Sequence, residues 1–405
     1  MELSLGERWR SLAATSIAHF INDGTLFIFP MIYPLLISYY DLSKLHVGVV
    51  AGVLYLASVL ASPFVGSLSD RGRRFAALLA LGIAMMALGI ISLSIATLYL
   101  SGLPLFLALL PIIILVGVGS AFYHPLAATI LAEKWESYKR GFALGVNGAF
   151  GSLGRATYPT LVMMIVSAFA LMGLTILAIA ALAVSALVFV ILRDMIVVQP
   201  RREKRHQQEA NMRNILSVSL IALTISAFIR STLTEGAVQF IPTYLVESRG
   251  MSYDYFLGIV VSIMFVMGIV GQPIFGSLVD KIGGRTALSI AVLGAAAMLL
   301  LLVVDKTSPL MLLYLAGFGF FAYTGFPLLL SLSTDVATRG TSTTAGSIVW
   351  GVGATGGAAA GPVIVALLGQ HNMLGSLDAA FTAISIIGIL SILLLPLVKA
   401  KPHEV

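Results

Sequence analysis

Cysteine is absent from this 405-residue chain, and charged side chains make up only 10% of it. Without cysteine there is no disulfide and no thiolate metal site, and no redox compartment can be read from thiols. The scarcity of charge excludes more, because soluble domains carry about 25% charged residues to meet water. With 59% hydrophobic residues and a mean hydropathy of +1.00, the chain is a polytopic membrane protein. Short segments of alternating polar and apolar residues are also lacking, which excludes a membrane barrel and leaves the helix as the only spanning element.

Each span needs about 20 apolar residues, so the chain has room for about twelve helices. The expected spans are 11–38, 47–69, 76–100, 104–132, 141–168, 171–192, 215–245, 254–279, 286–304, 309–333, 342–369 and 379–398. The first run is too long for a signal-peptide core and carries no cleavage pattern, so the N-terminus is expected to be retained.

A net charge of +6 and a pI near 9.5 raise the question of nucleic acid, but the basic residues lie in short loops between apolar runs, where they report topology. Outside the spans, the side opposite the termini carries only Lys44, Arg249 and Lys306, while Arg155 and Arg230 fall inside spans. The rest of the 24 basic residues lie on the side of the termini. Both termini are therefore expected in the cytoplasm, with the chain in the plasma membrane and no nucleic-acid partner.

The longest polar stretch, Arg193 to Asn214, divides the apolar runs into two sets of six. It reads as a solvated basic linker at 194–214 between an N-terminal half at 1–193 and a C-terminal half at 215–405. A shift of 210 residues supports the division, aligning Gly48 with Gly258, Pro63 with Pro273, Gly66-Ser67-Leu68 with Gly276-Ser277-Leu278, and Asp70-Arg71 with Asp280-Lys281. Parallel six-helix repeats are a recurring transporter plan, with the substrate site at midplane depth.

Against this apolar background the intramembrane polar residues stand out: His19, Asn22 and Asp23 in the first span, His124 in the fourth, Arg155 in the fifth, and Arg230 with Glu235 in the seventh. A charge at mid-helix costs roughly 2.5–3.5 kcal/mol on insertion scales, so each needs a partner or a task. His19 and Asp23, four apart, share a helix face. Asp23 is the expected proton-coupling carboxylate, with His19 orienting it or relaying the proton and Glu235 in reserve; a static pair that locks helices is the alternative. Arg155 and Arg230 carry planar forks suited to a carboxylate or phosphonate, which favours an acid-bearing solute. Tyr33, Tyr123, Tyr323 and Trp350 supply aromatic cavity walls, and His124 and Asn22 polar contacts. The glycine-rich segments Gly141–Gly154 and Gly346–Gly361 read as close helix packing, since no Gly-Lys-Ser/Thr closes a phosphate loop. Two histidines and an aspartate could make a first-row metal site, but no fixed ligand spacing supports one, and no nucleophile motif supports an enzyme; no metal or cofactor is expected.

Two loop motifs carry a resemblance. Gly66-Ser67-Leu68-Ser69-Asp70-Arg71-Gly72-Arg73-Arg74 and Gly276-Ser277-Leu278-Val279-Asp280-Lys281-Ile282-Gly283-Gly284-Arg285 resemble the loop signature of the major facilitator superfamily, the first copy one residue short. The resemblance implies that Gly66, Asp70, Arg71 and Arg73, with Gly276, Asp280, Lys281 and Arg285, act as a conformational latch. It also implies that spans 1, 4, 7 and 10 line a central cavity. His19-x-x-Asn22-Asp23, Gly117-Val118-Gly119-Ser120-Ala121-Phe122-Tyr123-His124-Pro125 and Gly148-Ala149-Phe150-Gly151-Ser152-Leu153-Gly154 look like the fosmidomycin-resistance branch, which implies proton-coupled efflux of a small anionic or drug-like solute. Uptake of an organic anion, or a transporter-like sensor or lipid-handling protein, are the alternatives, and a monomer is expected. Two departures are notable: the superfamily's fourth-span arginine is Ile113 here, and Arg155 stands where the family has proline after Gly154.

Overall fold

A computed structural model describes residues 5–72, 74–195, 217–306, 309–337, 342–370, 373 and 375–399. Among them there is no strand. The helices are α1 (Leu5–Leu26), α2 (Ile28–Ser38), α3 (Lys44–Gly72), α4 (Phe75–Tyr99), α5 (Gly102–Ala121), α6 (Tyr123–Lys134), α7 (Ser137–Phe169) and α8 (Leu174–Leu192). There follow α9 (Val218–Glu247), α10 (Tyr255–Ile282), α11 (Gly284–Val304), α12 (Met311–Ala322), α13 (Gly325–Asp335) and α14 (Ser342–Ser347). After a π-helical segment at Ile348–Thr355 come α15 (Gly356–Leu368) and α16 (Leu377–Leu390), which ends in a 3-10 turn at Ser391–Leu397.

Among the described residues, ten stretches are long and apolar enough to cross a membrane. One of them, Lys139–Leu192, runs to 54 residues and holds two expected spans, α7 and α8, which meet at the 3-10 turn Ala170–Gly173. The expected span at 309–333 is interrupted, with α12 as a shorter apolar helix and α13 continuing after the break. The helix count thus agrees with about twelve spans. Large apolar side chains such as Leu60, Phe64, Ile179 and Leu393 are exposed, as hydrocarbon-facing residues would be.

Three breaks have a common local cause. α1 stops at Leu26, α5 at Ala121 and α12 at Ala322. Each stop lies four or five residues before a proline, namely Pro30, Pro125 and Pro327. A proline has no N–H to give the carbonyl four residues back and its ring crowds that carbonyl, so the helical ladder fails there. Proline alone is insufficient, because Pro63 and Pro273 lie inside unbroken helices.

The chain separates into two compact units. Unit 1 comprises Met1–Leu42, Val53–Glu203 and Tyr253–Gly258; unit 2 comprises Ser43–Gly52, Lys204–Ser252 and Ile259–Val405. In unit 1, α1 lies along α7, and α4 packs on α5 and α8. In unit 2, α9 lies along α15 and the π segment, and α11 packs on α12 and α16. Lipid offers no hydrophobic gain for helix association, so close backbone approach through small residues carries the packing. The expected linker at 194–214 falls, beyond Met195, outside the described residues.

Lys44, Arg249 and Lys306, the basic residues assigned to the side opposite the termini, are all engaged within unit 2. Lys44 pairs with Glu247 at 2.8 Å and Lys306 with Asp378 at 2.8 Å. Arg249 Nη1 donates to the carbonyls of Leu302 and Asp305 at 2.9 and 3.0 Å.

Candidate functional site

The polar residues of α1 are buried in unit 1 and converge with residues from α5–α6 and α7. His19, Asn22 and Asp23 are 9%, 1% and 4% exposed. Arg155, on α7, donates through Nη1 to Asp23 Oδ2 in a short ion pair and through Nη2 to Ser152 Oγ at 2.8 Å. The other carboxylate oxygen accepts from Asn22 Nδ2 at 3.0 Å. Placing the cation three residues beyond Ser152 puts both on one helical face, so a neighbour of its own helix holds the guanidinium in place.

His19 is tied from the opposite side. Its Nδ1 lies 2.8 Å from the backbone carbonyl of Asn147, and because a carbonyl only accepts, Nδ1 must carry the hydrogen. This fixes the orientation of Nε2, which faces Asp23 Oδ2 at 3.4 Å. In neutral His19 that nitrogen presents a lone pair to a carboxylate, two acceptors facing one another. A proton between them converts the repulsion into a charge-assisted hydrogen bond. The ring fits only because Gly151 lacks a side chain: a Cβ there would sit 2.3 Å from His19 Nε2.

Aromatic and imidazole rings complete the cluster. His19 stacks on Tyr123 with centroids 4.4 Å apart, and His124 meets both rings edge-on at 5.4 and 5.1 Å. The Tyr123 hydroxyl lies 2.9 Å from Asn147 Oδ1 and 3.1 Å from the Thr15 carbonyl, while Asn147 Nδ2 is buried without a partner. Turning the amide end for end satisfies all three groups, Nδ2 donating to Tyr123 and Tyr123 donating to Thr15. His124 and Tyr123 reach this position because the break at Phe122 starts α6 anew, with Pro125 in its first turn where no N–H is needed. His124 is exposed whereas its neighbours are buried, so the cluster opens on its side.

In unit 2 the polar side chains have different partners. Arg230, 6% exposed, donates through Nη2 in a short hydrogen bond to the carbonyl of Ala322, the last residue of α12. That carbonyl stands at the break, and the guanidinium supplies a charged donor to it. Gly325 makes the room, since a Cβ there would lie 2.2 Å from Arg230 Nη1. Glu235 is half-buried on α9, within electrostatic reach of Arg230 together with Tyr323. Tyr323 lies at the break and packs on Phe265 at 5.3 Å. Trp350 is 44% exposed on the π segment, and Tyr33 is fully buried in α2 of unit 1.

Of the expected latch residues, Gly66 and Gly276 lie near helix ends with open space where a Cβ would go. Gly283 adopts φ +81°, a left-handed conformation that glycine takes without strain, between α10 and α11. Asp280, Lys281 and Arg285 are exposed around this turn. Arg73 lies outside the described residues, as do the side chains of Asp70 and Arg71.

Sequence reasoning singled out His19, Asn22, Asp23, His124, Tyr123 and Arg155, which unit 1 brings together. It missed Thr15, Asn147 and Ser152. Asn147 and Ser152 lie in the glycine-rich run read as packing alone, and their polarity inside a span was the available signal.

An all-helical chain with many apolar spans and charged side chains paired inside them is built as a multi-pass membrane transporter. The chain belongs to the Major Facilitator Superfamily, whose model matches residues 15–357 and again 255–405, a family of transporters and not of enzymes. It is similar to the fosmidomycin resistance protein of Escherichia coli (strain K12), 24% identical over 72% of this chain and 70% of that one. The MFS-type transporter YfnC of Bacillus subtilis (strain 168) is 25% identical over 95% of this chain and 92% of its own. Among solved structures, a bacterial homologue of the human lysosomal transporter Spinster, in an inward-facing, unoccupied conformation, superposes with a TM-score of 0.73. That match covers 98% of this chain and 96% of the other at 16% identity, a likeness of fold.

Proposed function

We propose that this transporter is a proton-coupled exporter of a small anionic or drug-like solute, working by alternating access of two six-helix halves joined by the basic linker at 194–214. Both termini face the cytoplasm of a cell whose plasma membrane holds the chain. The observation that carries the reading is Asp23, buried and engaged at once by His19 and Arg155. When Asp23 is ionised, Arg155 is neutralised by it. When Asp23 takes a proton, relayed through His19, the guanidinium loses its partner and becomes available to a carboxylate, phosphonate or similar group on the solute. The proton and the anionic solute are therefore linked through one guanidinium, and which of them travels with or against the other is what the transport assay reads. Such mutual exclusion of proton and resting ion pair is the minimum that coupling requires.

The efflux direction is supported by the fosmidomycin resistance protein, and drug-like cargo by its name. Arg230, Asn22, His124, Tyr33, Tyr123, Tyr323 and Trp350 are assigned to solute contact, Glu235 to a reserve proton site, and the two Gly-x-x-x-Asp loops to the latch. The protein is expected to work as a monomer.

Proteoliposomes under an imposed pH gradient test this reading. Solute movement with protons moving the opposite way supports antiport. Co-movement replaces it with symport, and binding without flux replaces it with a sensor. Uphill transport retained in Asp23→Asn would sink the assignment of Asp23.

A further inference from the structure

We propose that His19, Asp23 and His124 form a binding site for a first-row divalent metal ion. Each offers one ligand atom, and these atoms lie within 4.8 Å of one another, all in unit 1. Two imidazoles and a carboxylate are a donor set of first-row type, and a fourth position is left for water or cargo.

Three features of the geometry go beyond mere proximity. Metal–nitrogen and metal–oxygen bonds of about 2.0–2.1 Å in a tetrahedral site place neighbouring ligands about 3.3–3.4 Å apart. His19 Nε2 and Asp23 Oδ2 stand 3.4 Å apart, the length of one such edge. Next, metal-bound histidines give their second ring N–H to a carbonyl or carboxylate, which aims the free lone pair at the metal. The Asn147 carbonyl holds His19 Nδ1 in this way at 2.8 Å, so the lone pair of Nε2 points where a cation would stand. Finally, His124 is the exposed member and gives the site an entry, whereas the other two are buried. Closing the set takes a shift of His124, the exposed member, together with release of Arg155 from Asp23.

Arg155 is the competitor. Its Nη1 occupies Asp23 Oδ2, and like charges repel, so a metal ion must displace the guanidinium. Ser152 already holds the other end of that guanidinium, and the Arg155 side chain is 23% exposed, so it has somewhere to go. The consequence is a site of modest affinity that tightens when the arginine is removed, opposite to the effect expected if Arg155 merely stabilised the fold around it.

The inference rests on ligand geometry and stands independently of proton coupling. The full-length protein, freed of any histidine tag and reconstituted in nanodiscs, is titrated with cobalt(II) chloride. Visible absorption reports the ligand field, and zinc chloride provides a competing titration. One cobalt per chain is expected, with an intensified visible band that zinc erases and that His124→Gln and Asp23→Asn lose. Arg155→Gln should bind cobalt at least tenfold more tightly. Circular dichroism of each variant confirms that it is folded, and His124→Gln, altered at the exposed member, is the variant least able to disturb folding. Absence of a saturable site overturns the proposal. So does a cobalt spectrum unchanged in both His19→Gln and His124→Gln, which would place the metal on His46, His206, His371 or His403. Weaker binding by Arg155→Gln also counts against it. Proton-coupled transport that survives while cobalt fails to bind would remove the metal site and leave the transport reading intact.

Discussion

Each unit holds an arginine inside a span, half-buried Arg155 in unit 1 and buried Arg230 in unit 2, and the two are used differently. In unit 1, Arg155 meets a carboxylate that can lose its charge. In unit 2, Arg230 meets the carbonyl of Ala322, which cannot. An arginine on a backbone carbonyl faces a partner whose charge no proton can change. An arginine on a titratable acid sits in a balance that a proton, a cation or an anionic solute can tip. The two units nonetheless use one device at unrelated positions, a glycine facing a polar side chain: Gly151 beneath His19 and Gly325 beneath Arg230.

The largest expected effect breaks the comparison at the carboxylates. Asp23→Asn should abolish gradient-driven transport while exchange of solute across the membrane continues, because the amide keeps the shape and cannot carry the proton. Glu235→Gln should leave gradient-driven transport largely intact. Transport assays in proteoliposomes with and without a pH gradient read both, and equal losses would make the two units functionally alike.

Next come the arginines themselves. Arg155→Ala leaves a buried carboxylate without its cation, a change that costs about 3–5 kcal/mol in buried pairs. Acid pH should relieve that loss, since protonated Asp23 no longer needs a cation. Arg230→Ala removes the charged donor from the Ala322 carbonyl, costing about 1–3 kcal/mol with no such relief. Thermal unfolding in detergent at neutral and acid pH measures both. Loss of stability in Arg230→Ala that recovers in acid would show that its partner titrates as well, with Glu235 the nearest candidate.

Much of the fold was legible, since apolar runs of hydrocarbon length demand helices and leave little choice of class. The breaks were less so. Pro125 and Pro327 marked where a helical bond would be lost, but Pro63 and Pro273 carry the same mark inside continuous helices, and local sequence does not say which ladder yields. Sequence alone leaves the partner of Asp23 open between Arg155 and Arg230, because it gives depth along a span and not its rotation. The rotation of α7 toward α1 is set by Gly151 and Gly154, whose absent side chains admit His19 and the carbonyl of Phe20. Two histidines and an aspartate offer a first-row donor set in the sequence, but the convergence of His124 with His19 and Asp23 is not marked by spacing, which identifies metal ligands only when they lie close in sequence.

The glycine pair sharpens the comparison further. Gly151→Ala puts a methyl against the His19 ring, and Gly325→Ala puts one against the guanidinium of Arg230. Overpacking of this kind costs about 1–3 kcal/mol. Both variants should lose stability to a similar degree, but only Gly151→Ala should lower the response of transport to a pH gradient, because it moves the imidazole off its line to Asp23, whereas Gly325→Ala acts on solute affinity through Arg230. An equal response to the gradient in the two variants would detach His19 from coupling.

The smallest effect separates the backbone of Asn147 from its side chain. The hydrogen bond that fixes His19 goes to the Asn147 carbonyl, which any residue supplies, whereas the amide serves Tyr123. Asn147→Ala should therefore cost about 0.5–1.5 kcal/mol, the net worth of one hydrogen bond, and leave His19 in its tautomer. Nitrogen-15 spectra of the imidazole in wild type and variant check this directly. An unchanged Nδ1–H resonance with a modest drop in unfolding temperature is the expected result. A shift to the other tautomer would mean that the amide, through Tyr123 stacked on the same ring, governs the proton on His19, and that unit 1 holds its switch by a side chain absent from the comparison drawn with Arg230.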